Sequence, residues 1–592
     1  MDVHRKMIHG NGIGTAQREK MPDAVKPFAW WAGLKKEYFG EIAPFADGYA
    51  RAASAPDVEQ LKKVRIFDTT GRDGMQTPDA FLTEERGIPV KQNKIDVAVE
   101  LARWGVPLIE VGFAVSNREE TEAIREAKRR IAELGLGSKV VSLARMDRRD
   151  IDASVESEAD IIHLFSSGSI PHAWVKFGKS PEELIPGIIE SVKYARNAGY
   201  REMVVSLEDA VRTKPSHLLE LAERLQEIGK GDIHYNIPDT VGVCDPAYMF
   251  ALISYLRQKT GIPLQVHCHN DMGRAVENTL AAIYAGVSEF HATVHGMGER
   301  TGNASMEQVL INLYANHGVE LVDMRRLAEV SQFISERAGL KPAFNAPVVG
   351  AKAFWHESGV HADAVYKSGV AGYMGREGID GGSVYAAYNA ETIGRAEEVG
   401  IGPLCGQKNV MYRLAELGIA VNDAQLQQIV AEVKSASVKS KVSEADFIHM
   451  AYTAVTGKQC AKFMIEDCRV ETGIDNFQQR KPEAWVKLKL NGHHPAAHGR
   501  GNGAVDAAVN AIDEALGEWG ITISAYELKA IGEGSDSKGR VTLTVRKDGT
   551  GIESSAVGTD IVIATLDAFR KGFDALEALK ELRTDGPPVT NV

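Results

Sequence analysis

The sequence predicts an α/β chain built on a (β/α)8 TIM barrel, and three observations carry that prediction. Eight short apolar runs alternate with helical segments between Val64 and Val294. The eight units occupy about 250 residues, the usual length of such a barrel. Polar, chemistry-bearing residues follow the C-terminal ends of five of the runs, which is the rim where barrels of this kind place their sites.

The expected strands are Val64–Phe67, Leu108–Phe113, Val140–Leu143, Ile161–Phe165, Met203–Leu207, Ile233–Ile237, Leu264–His267 and Phe290–Val294. The helices between them carry their own punctuation. Ile95, Ala98, Val99 and Ala102 make an apolar stripe ending at Gly105, the pattern of a core-facing helix with a glycine stop. Asn117 followed by Glu120 reads as a capping box, with Gly135 ending that helix. The loop from Thr77 to Gln92 is long for a barrel connection and is expected to act as a lid or a contact surface.

At the rim, strand one runs into Asp68-Thr69-Thr70-Gly71-Arg72-Asp73-Gly74, strand five into Glu208-Asp209, and strand six into Pro238-Asp239-Thr240. Strand eight leads into Gly298-Glu299-Arg300-Thr301-Gly302-Asn303. Strand seven delivers His267-Cys268-His269-Asn270-Asp271. Side chains alternate along a strand, so His267, His269 and Asp271 are expected on one face. Two imidazoles one residue apart suit a divalent metal such as Zn, Mn, Fe or Co.

Composition narrows the class. The chain has 592 residues, 44% apolar and 25% charged, with a formal charge of -12. That is an ordinary globular balance, roughly four domain-sized units, without the basic footprint of a nucleic-acid or anionic-membrane binder. Five cysteines without a CxxC pair point to reduced thiols and a cytoplasmic setting. No apolar run is long enough to span a membrane, and residues 1–20 lack the apolar segment of a secretory signal. Residues 1–61, with the aromatic cluster Phe28-Ala29-Trp30-Trp31, are expected to pack on the barrel as an extension without chemistry.

The motifs Gly71-Arg72-Asp73-Gly74-Met75-Gln76, His267-Cys268-His269-Asn270-Asp271 and Gly298-Glu299-Arg300-Thr301-Gly302-Asn303 resemble, in order and spacing, the metal-dependent acyl-CoA-condensing barrel enzymes of the 2-isopropylmalate synthase and citramalate synthase family. The resemblance implies that Asp73, His267 and His269 ligate a divalent metal (Zn, Mn or Mg), with Asn303 beside it, and that acetyl-CoA is the co-substrate. It also implies that Arg72 neutralises oxygen charge on a bound 2-oxo acid, and that Glu208 and Thr240 belong to the active site. His295 stands where relatives often have asparagine, close enough to the metal to bear on its coordination.

Residues 341–464 are helical and polar. By the resemblance they form small subdomains over the partner subunit's active site, with His361 as acid/base and Tyr385 as an active-site tyrosine. Tyr388 is a competitor for the latter role, and Asn389-Ala390 depart from the family's Asp-Pro. Residues 465–592 contain an internal strand-strand-strand-helix repeat: Val486–Leu490 and a helix from Val505, then Val541–Val545 and a helix from Asp560. That segment resembles a C-terminal dimerisation and regulatory domain, implying a homodimer or higher homo-oligomer and an amino-acid feedback inhibitor. Gly501-Asn502-Gly503 is not a phosphate loop, because no Lys-Ser/Thr follows. Ala504 replaces the proline usual there.

Within the resemblance, the acceptor acid is read from strand residues. Val204 stands where homocitrate synthases carry an arginine, and Ser206 where citramalate synthases carry a tyrosine. Leu143, His163, Ser206, Asn236, Pro238 and Thr240 match an isopropylmalate-type pocket, which implies 3-methyl-2-oxobutanoate as acceptor. Citramalate synthase, homocitrate synthase, a retro-aldol lyase and a catalytically silent amino-acid-binding protein are the alternatives. The intact Arg72, Asp73, Glu208, His267 and His269 set argues against the last.

Overall fold

The computed structural model describes residues 29–583 except 82–86, 230, 371–384, 476–477, 480, 491, 518–519 and 535. These residues form two compact units, divided after Ala353, with Tyr388–Ala396 belonging to the first.

The first unit is built on a closed parallel barrel whose strands pair in sequence order. They are β1 (Arg65–Asp68), β2 (Leu108–Phe113), β3 (Lys139–Arg145), β4 (Ile161–Ser167), β5 (Met203–Glu208), β6 (Ile233–Asp239), β7 (Leu264–Cys268) and β8 (Glu289–Ala292). Every expected run became a strand, with ends moved by at most two residues. β4 and β6 run on into Ser166-Ser167 and Pro238-Asp239, because backbone pairing continues past the last apolar side chain. Phe67, Leu108, Val141, Ile161 and Val204 make a buried cluster within the barrel sheet.

The surrounding helices follow their local signals. Val90–Trp104 buries Ile95, Ala98, Val99 and Ala102 and stops at left-handed Gly105. Asn117 caps Arg118–Glu133 through the Glu120 amide, but the reciprocal half of the expected box is missing. The Glu120 carboxylate instead accepts from Lys94 Nζ (2.8 Å) and the Phe113 amide (3.1 Å). Lys94 is buried, and a buried ammonium needs a counter-charge more than an N-cap needs a second hydrogen bond.

The N-terminal segment from Ala29 docks on the helix Pro246–Thr260, where Trp31 meets Tyr248, Phe45 meets Tyr255 and Tyr49 meets Phe250 at ring separations of 5.5–5.8 Å. Residues 1–28 of the expected extension lie outside the described residues. The loop after β1 is tied down at Phe81, which is buried and whose amide donates to the Ala338 carbonyl (2.7 Å). The next helix begins at Val90, so the loop is shorter than the sequence suggests.

The second unit carries the helices Gly359–Val370, Gln407–Leu417, Asp423–Ser437 and Glu444–Thr456. Two three-stranded antiparallel sheets follow. Phe463–Glu471, Glu483–Leu490 and Ala496–Arg500 precede the helix Ala504–Leu516. Thr522–Ile531, Lys538–Lys547 and Thr550–Gly558 precede Ile561–Leu582. This is the expected repeat. Asp548 and Gly549, both at positive φ, close a two-residue hairpin between Lys547 and Thr550. Ala504 is the first residue of its helix, a position that tolerates proline without requiring it. One hydrophobic core runs from Cys405 to Leu582, so the last helices and both sheets are buried against each other. No helix among the described residues is long and apolar enough to cross a membrane.

Candidate active site

The C-terminal ends of the strands enclose a cleft of about 280 Å3. Its walls include Arg72 and Asp73 after β1, Leu143 on β3, His163 on β4, and Ser206 and Glu208 on β5. Asn236 and Pro238 on β6, Thr240 beyond it, and His267 and His269 complete them. Every barrel residue expected to bind substrate therefore lines one cavity.

Asp73, His267 and His269 are buried, and their ligand atoms lie within 4.8 Å of one another. His267 Nε2 is 3.4 Å from His269 Nε2 and 3.4 Å from Asp73 Oδ2. His269 Nδ1 faces the Gly302 carbonyl at 3.3 Å, which leaves Nε2 for the cluster, the outer-shell arrangement that orients a ligand imidazole. Burial first, then the neighbouring His267, pulls the His269 pKa down to about 4, so its ring is neutral and able to ligate. Burial alone would raise the Asp73 carboxyl, but Arg72 and the two histidines hold it well below the usual carboxylate range.

Two buried oxygens here, Asp73 Oδ2 and Asn303 Oδ1, have no hydrogen-bond partner among the described residues, although Arg72 Nη1 stands 3.2 Å from the former. Orphaned buried oxygens beside two imidazoles fit a divalent cation. Asn303 is held by its amide to the Met297 carbonyl (2.9 Å). The glycines of its loop are sterically required. Gly302 has φ +88°, and a Cβ there would collide with the Gly296 carbonyl; one on Gly298 would strike the Asn303 amide and approach Asp73.

Two sequence expectations fail. Asp271 does not join the cluster, because β7 ends at Cys268 and strand alternation ends with it; its carboxylate pairs with Arg300 at 2.7 and 2.8 Å. His295 is turned to Ser331 Oγ (2.7 Å) and Glu307 (3.6 Å) and is not part of the Asp73–His267–His269 cluster.

The largest omission from the sequence reading is Glu110 on β2, which is fully buried. It accepts from Arg72 Nε at 2.6 Å and pairs with His163 Nδ1 at 2.6 Å. His163 Nε2 lies 2.5 Å from Ser206 Oγ, which accepts from Asn236 Nδ2 at 2.7 Å. One hydrogen-bonded chain thus crosses β2, β4, β5 and β6 and fixes Arg72 beside the cluster. Burial opposes the charge on Glu110, yet Arg72 and His163 bring its pKa down to about 2; burial lowers that of His163. A charged Glu110 and a neutral His163 place the ring proton on Nδ1, so Ser206 donates to Nε2. The β2–β3 register shifts between Glu110 and Gly112, the kind of local irregularity that re-aims a side chain near a site.

Below the cluster His291 is buried, stacked on Phe67 at 4.0 Å and bonded to Gln265 at 2.8 Å. Glu208 accepts from Lys176 Nζ at 2.6 Å and Ser167 Oγ at 3.3 Å. The Asp209 amide donates to Thr240 Oγ1 (2.8 Å), tying the ends of β5 and β6 together. In the second unit His361 and Tyr385 stack with ring centroids 3.8 Å apart and planes within 12°. The two residues expected to act together from that segment are therefore adjacent.

A closed eight-stranded barrel with an Asp-His-His cluster at its C-terminal rim defines the HMGL-like class, which is generally divalent-metal dependent, and residues 63–334 match that family. Residues 348–441 match the homocitrate synthase post-HMGL domain-like family, and 441–577 the LeuA allosteric (dimerisation) domain. A "Probable 2-isopropylmalate synthase" of Methanopyrus kandleri is 37% identical over 521 residues, spanning 87% of this chain and 98% of its own. The 2-isopropylmalate synthase of Methanocaldococcus jannaschii is 36% identical over 528 residues, spanning 88% and 96%. The (R)-citramalate synthase CimA of the same organism is 33% identical over 519 residues, spanning 87% and 99%. The chain belongs to the 2-isopropylmalate synthase and citramalate synthase family and is a condensing enzyme of that kind. Relatives named for either product match at similar identity, so the family alone leaves the acceptor acid open.

Proposed function

We propose that this enzyme is a 2-isopropylmalate synthase, joining the acetyl group of acetyl-CoA to C2 of 3-methyl-2-oxobutanoate and releasing CoA. The carrying observation is the cleft wall at Ser206: a small side chain already bonded to His163 and Asn236, beside Leu143 and Phe165, leaves apolar room for a branched group. Among the described residues lining the cleft, the distal carboxylate of 2-oxoglutarate would find no spare cation, since Arg72 is paired with Glu110 and Asp73, and Arg300 with Asp271. Burying it so would be costly.

A divalent ion held by Asp73, His267 and His269, with Asn303 alongside, would polarise the acceptor carbonyl as a Lewis acid. Arg72, fixed by Glu110, stabilises the oxyanion that develops at C2. A base removes a proton from the acetyl methyl, and the resulting carbon nucleophile bonds to C2. His361 is the candidate, histidine being the side chain most often used for such proton transfers; Glu208 assists and Tyr385 donates a hydrogen bond to developing charge. Water then attacks the thioester carbonyl, giving the free acid and the CoA thiol. Residues 341–464 supply His361 and Tyr385, and 465–592 form the dimerising, amino-acid-responsive part, a reading supported by the LeuA-type match. Residues 1–61 take no part in the chemistry, and the enzyme works in the cytoplasm.

The test is kcat/KM for a panel of 2-oxo acids, read as acetyl-CoA-dependent thiol release. One methyl group in an apolar pocket discriminates by about 10- to 200-fold, so pyruvate and 2-oxobutanoate are expected to turn over slowly. Clear preference for pyruvate favours the citramalate reading, which the 33% identical relative supports. Ser206→Tyr is expected to depress the branched acid more than pyruvate. The ratio is the readout, because the change also removes the acceptor for Asn236.

A second expectation concerns how the site is assembled. If each His361 serves the partner's barrel, Asp73→Ala and His361→Ala are inactive alone, and their equal mixture after subunit exchange recovers about a quarter of parental activity in a two-fold dimer. A mixture that stays inactive despite demonstrated exchange removes the shared-site reading.

A further inference from the structure

The second unit holds a cavity of about 570 Å3, walled by the helices Asp423–Ser437, Glu444–Thr456 and Ile561–Leu582 and the strands Lys538–Lys547 and Thr550–Gly558. We propose that it binds a small organic phosphate, whose phosphate oxygens accept from Arg540, Lys571 and His449. The inference rests neither on the condensation reading nor on the amino-acid response given above to residues 465–592.

Charge sets the sign of the ligand. Arg540, Arg570, Lys441 and Lys571 line the cavity against two acids, Glu432 and Asp446. Both acids are engaged locally: Asp446 accepts from the Ser443 amide (3.0 Å) and hydroxyl (2.7 Å), and Glu432 from Gln428 Nε2 (2.9 Å). The chain as a whole carries -12, so this wall is a local reversal of sign, and a concave lining of one sign concentrates ions of the other.

The four cations differ in what they already hold. Lys441 pairs with Glu553 at 2.8 Å, and Arg570 with Asp567 and Asp574 at 2.9 and 3.0 Å. Lys571 is held loosely: Asp567 and Asp446 stand 3.7 and 3.8 Å away, and the Ser555 carbonyl accepts at 3.4 Å. Arg540 is half-buried and has no carboxylate partner among the described residues. A guanidinium drawn partly out of water gains from a counter-charge, and its planar fork matches two phosphate oxygens.

His449 adds an independent sign. It lines the same cavity, and its Nε2 is buried without a hydrogen-bond partner among the described residues, which native interiors rarely leave. Burial, with Arg570 and Lys571 nearby, outweighs Asp446 and brings its pKa down to about 4. The ring is therefore neutral near pH 7 and can carry its proton on Nε2. Arginine and lysine beside it disfavour a metal ion as the missing partner. Two cations and a neutral donor, from three separate elements, suit the dianion of a phosphate monoester better than the single charge of a carboxylate. The volume falls in the range of small-molecule sites and exceeds what a phosphate group alone would fill. Ala436, Val442 and Met450 offer apolar wall to an organic body.

Equilibrium dialysis of phenyl phosphate and of inorganic phosphate against the full-length enzyme, at constant ionic strength, tests the assignment without relying on turnover. The parent is expected to hold phenyl phosphate more tightly than inorganic phosphate, and phenol not at all. Arg540→Gln and Lys571→Gln should each weaken phenyl phosphate about tenfold or more, the scale of one lost charge-assisted hydrogen bond. Arg540→Lys keeps the charge and should lose less. Melting temperatures without phosphate control for folding, and Arg540→Gln should match the parent because it breaks no ion pair. In crystals, tungstate, a phosphate mimic with an anomalous signal, should lie beside Arg540, Lys571 and His449. A parent that holds neither phosphate, equal affinity in the parent and both glutamine variants, or tungstate found only elsewhere overturns the site. Displacement of phenyl phosphate by leucine in the parent, lost in Arg540→Gln, would mean that an amino acid occupies the cavity and overturns the phosphate assignment.

Discussion

Asp73→Ala and His267→Ala are each expected to lose bound metal and at least about a thousandfold in kcat/KM, since Lewis-acid polarisation of the acceptor carbonyl is worth several kcal/mol. The fold should survive both. Arg72 keeps its 2.6 Å bond to Glu110 when Asp73 is removed, so no buried cation is stranded. His267 lies at the end of β7, above a barrel interior filled by other residues. Elemental analysis of the dialysed proteins, with far-UV circular dichroism for the fold, gives the answer. Full metal occupancy in both variants would mean that other groups hold the ion. Asn303→Ala should be milder, because that residue is proposed to stand alongside the three ligands.

Much of this site is legible in the sequence because barrel architecture turns a linear pattern into a place. Once eight apolar runs are recognised, Arg72-Asp73, Glu208, Thr240, His267 and His269 must meet at one rim, and they line one cleft. What the pattern hides is charge placed within the runs. Glu110 stands between Ile109 and Val111, and His291 between Phe290 and Ala292. Each reads as a minor blemish in a strand, yet a carboxylate in an apolar run has to find a partner. Applied to Leu108–Phe113, that rule singles out Glu110 from the amino-acid sequence alone.

The other misses have local causes. Alternation carried His267 and His269 correctly but failed at Asp271, three residues beyond the end of β7. The half-formed capping box at Asn117 reflects the buried Lys94, whose claim on Glu120 depends on tertiary packing. Lys176 could not be linked to Glu208 from sequence, since the contact joins the segment after β4 to the end of β5 across 32 positions.

Glu110 is also where the largest stability effect is expected. It holds two partners, Arg72 and His163, through a carboxylate that is itself fully buried. Glu110→Ala leaves Arg72, among the described residues, with its 3.2 Å contact to Asp73 and removes the acceptor that sets the His163 tautomer. Breaking one side of a buried ion pair costs about 3–5 kcal/mol, and the denaturation midpoint should fall accordingly. Activity should fall further than stability explains, because a freed Arg72 no longer points at the developing oxyanion and Ser206 loses its ordered acceptor. Glu110→Gln separates the two effects. Its shape and one acceptor oxygen remain, so much of the fold energy should return, while the charge that anchors Arg72 does not. Stability near parental with kcat still depressed would identify Glu110 as a positioning residue for Arg72. Parental kcat in Glu110→Gln would show that Arg72 is held well enough by Asp73 alone.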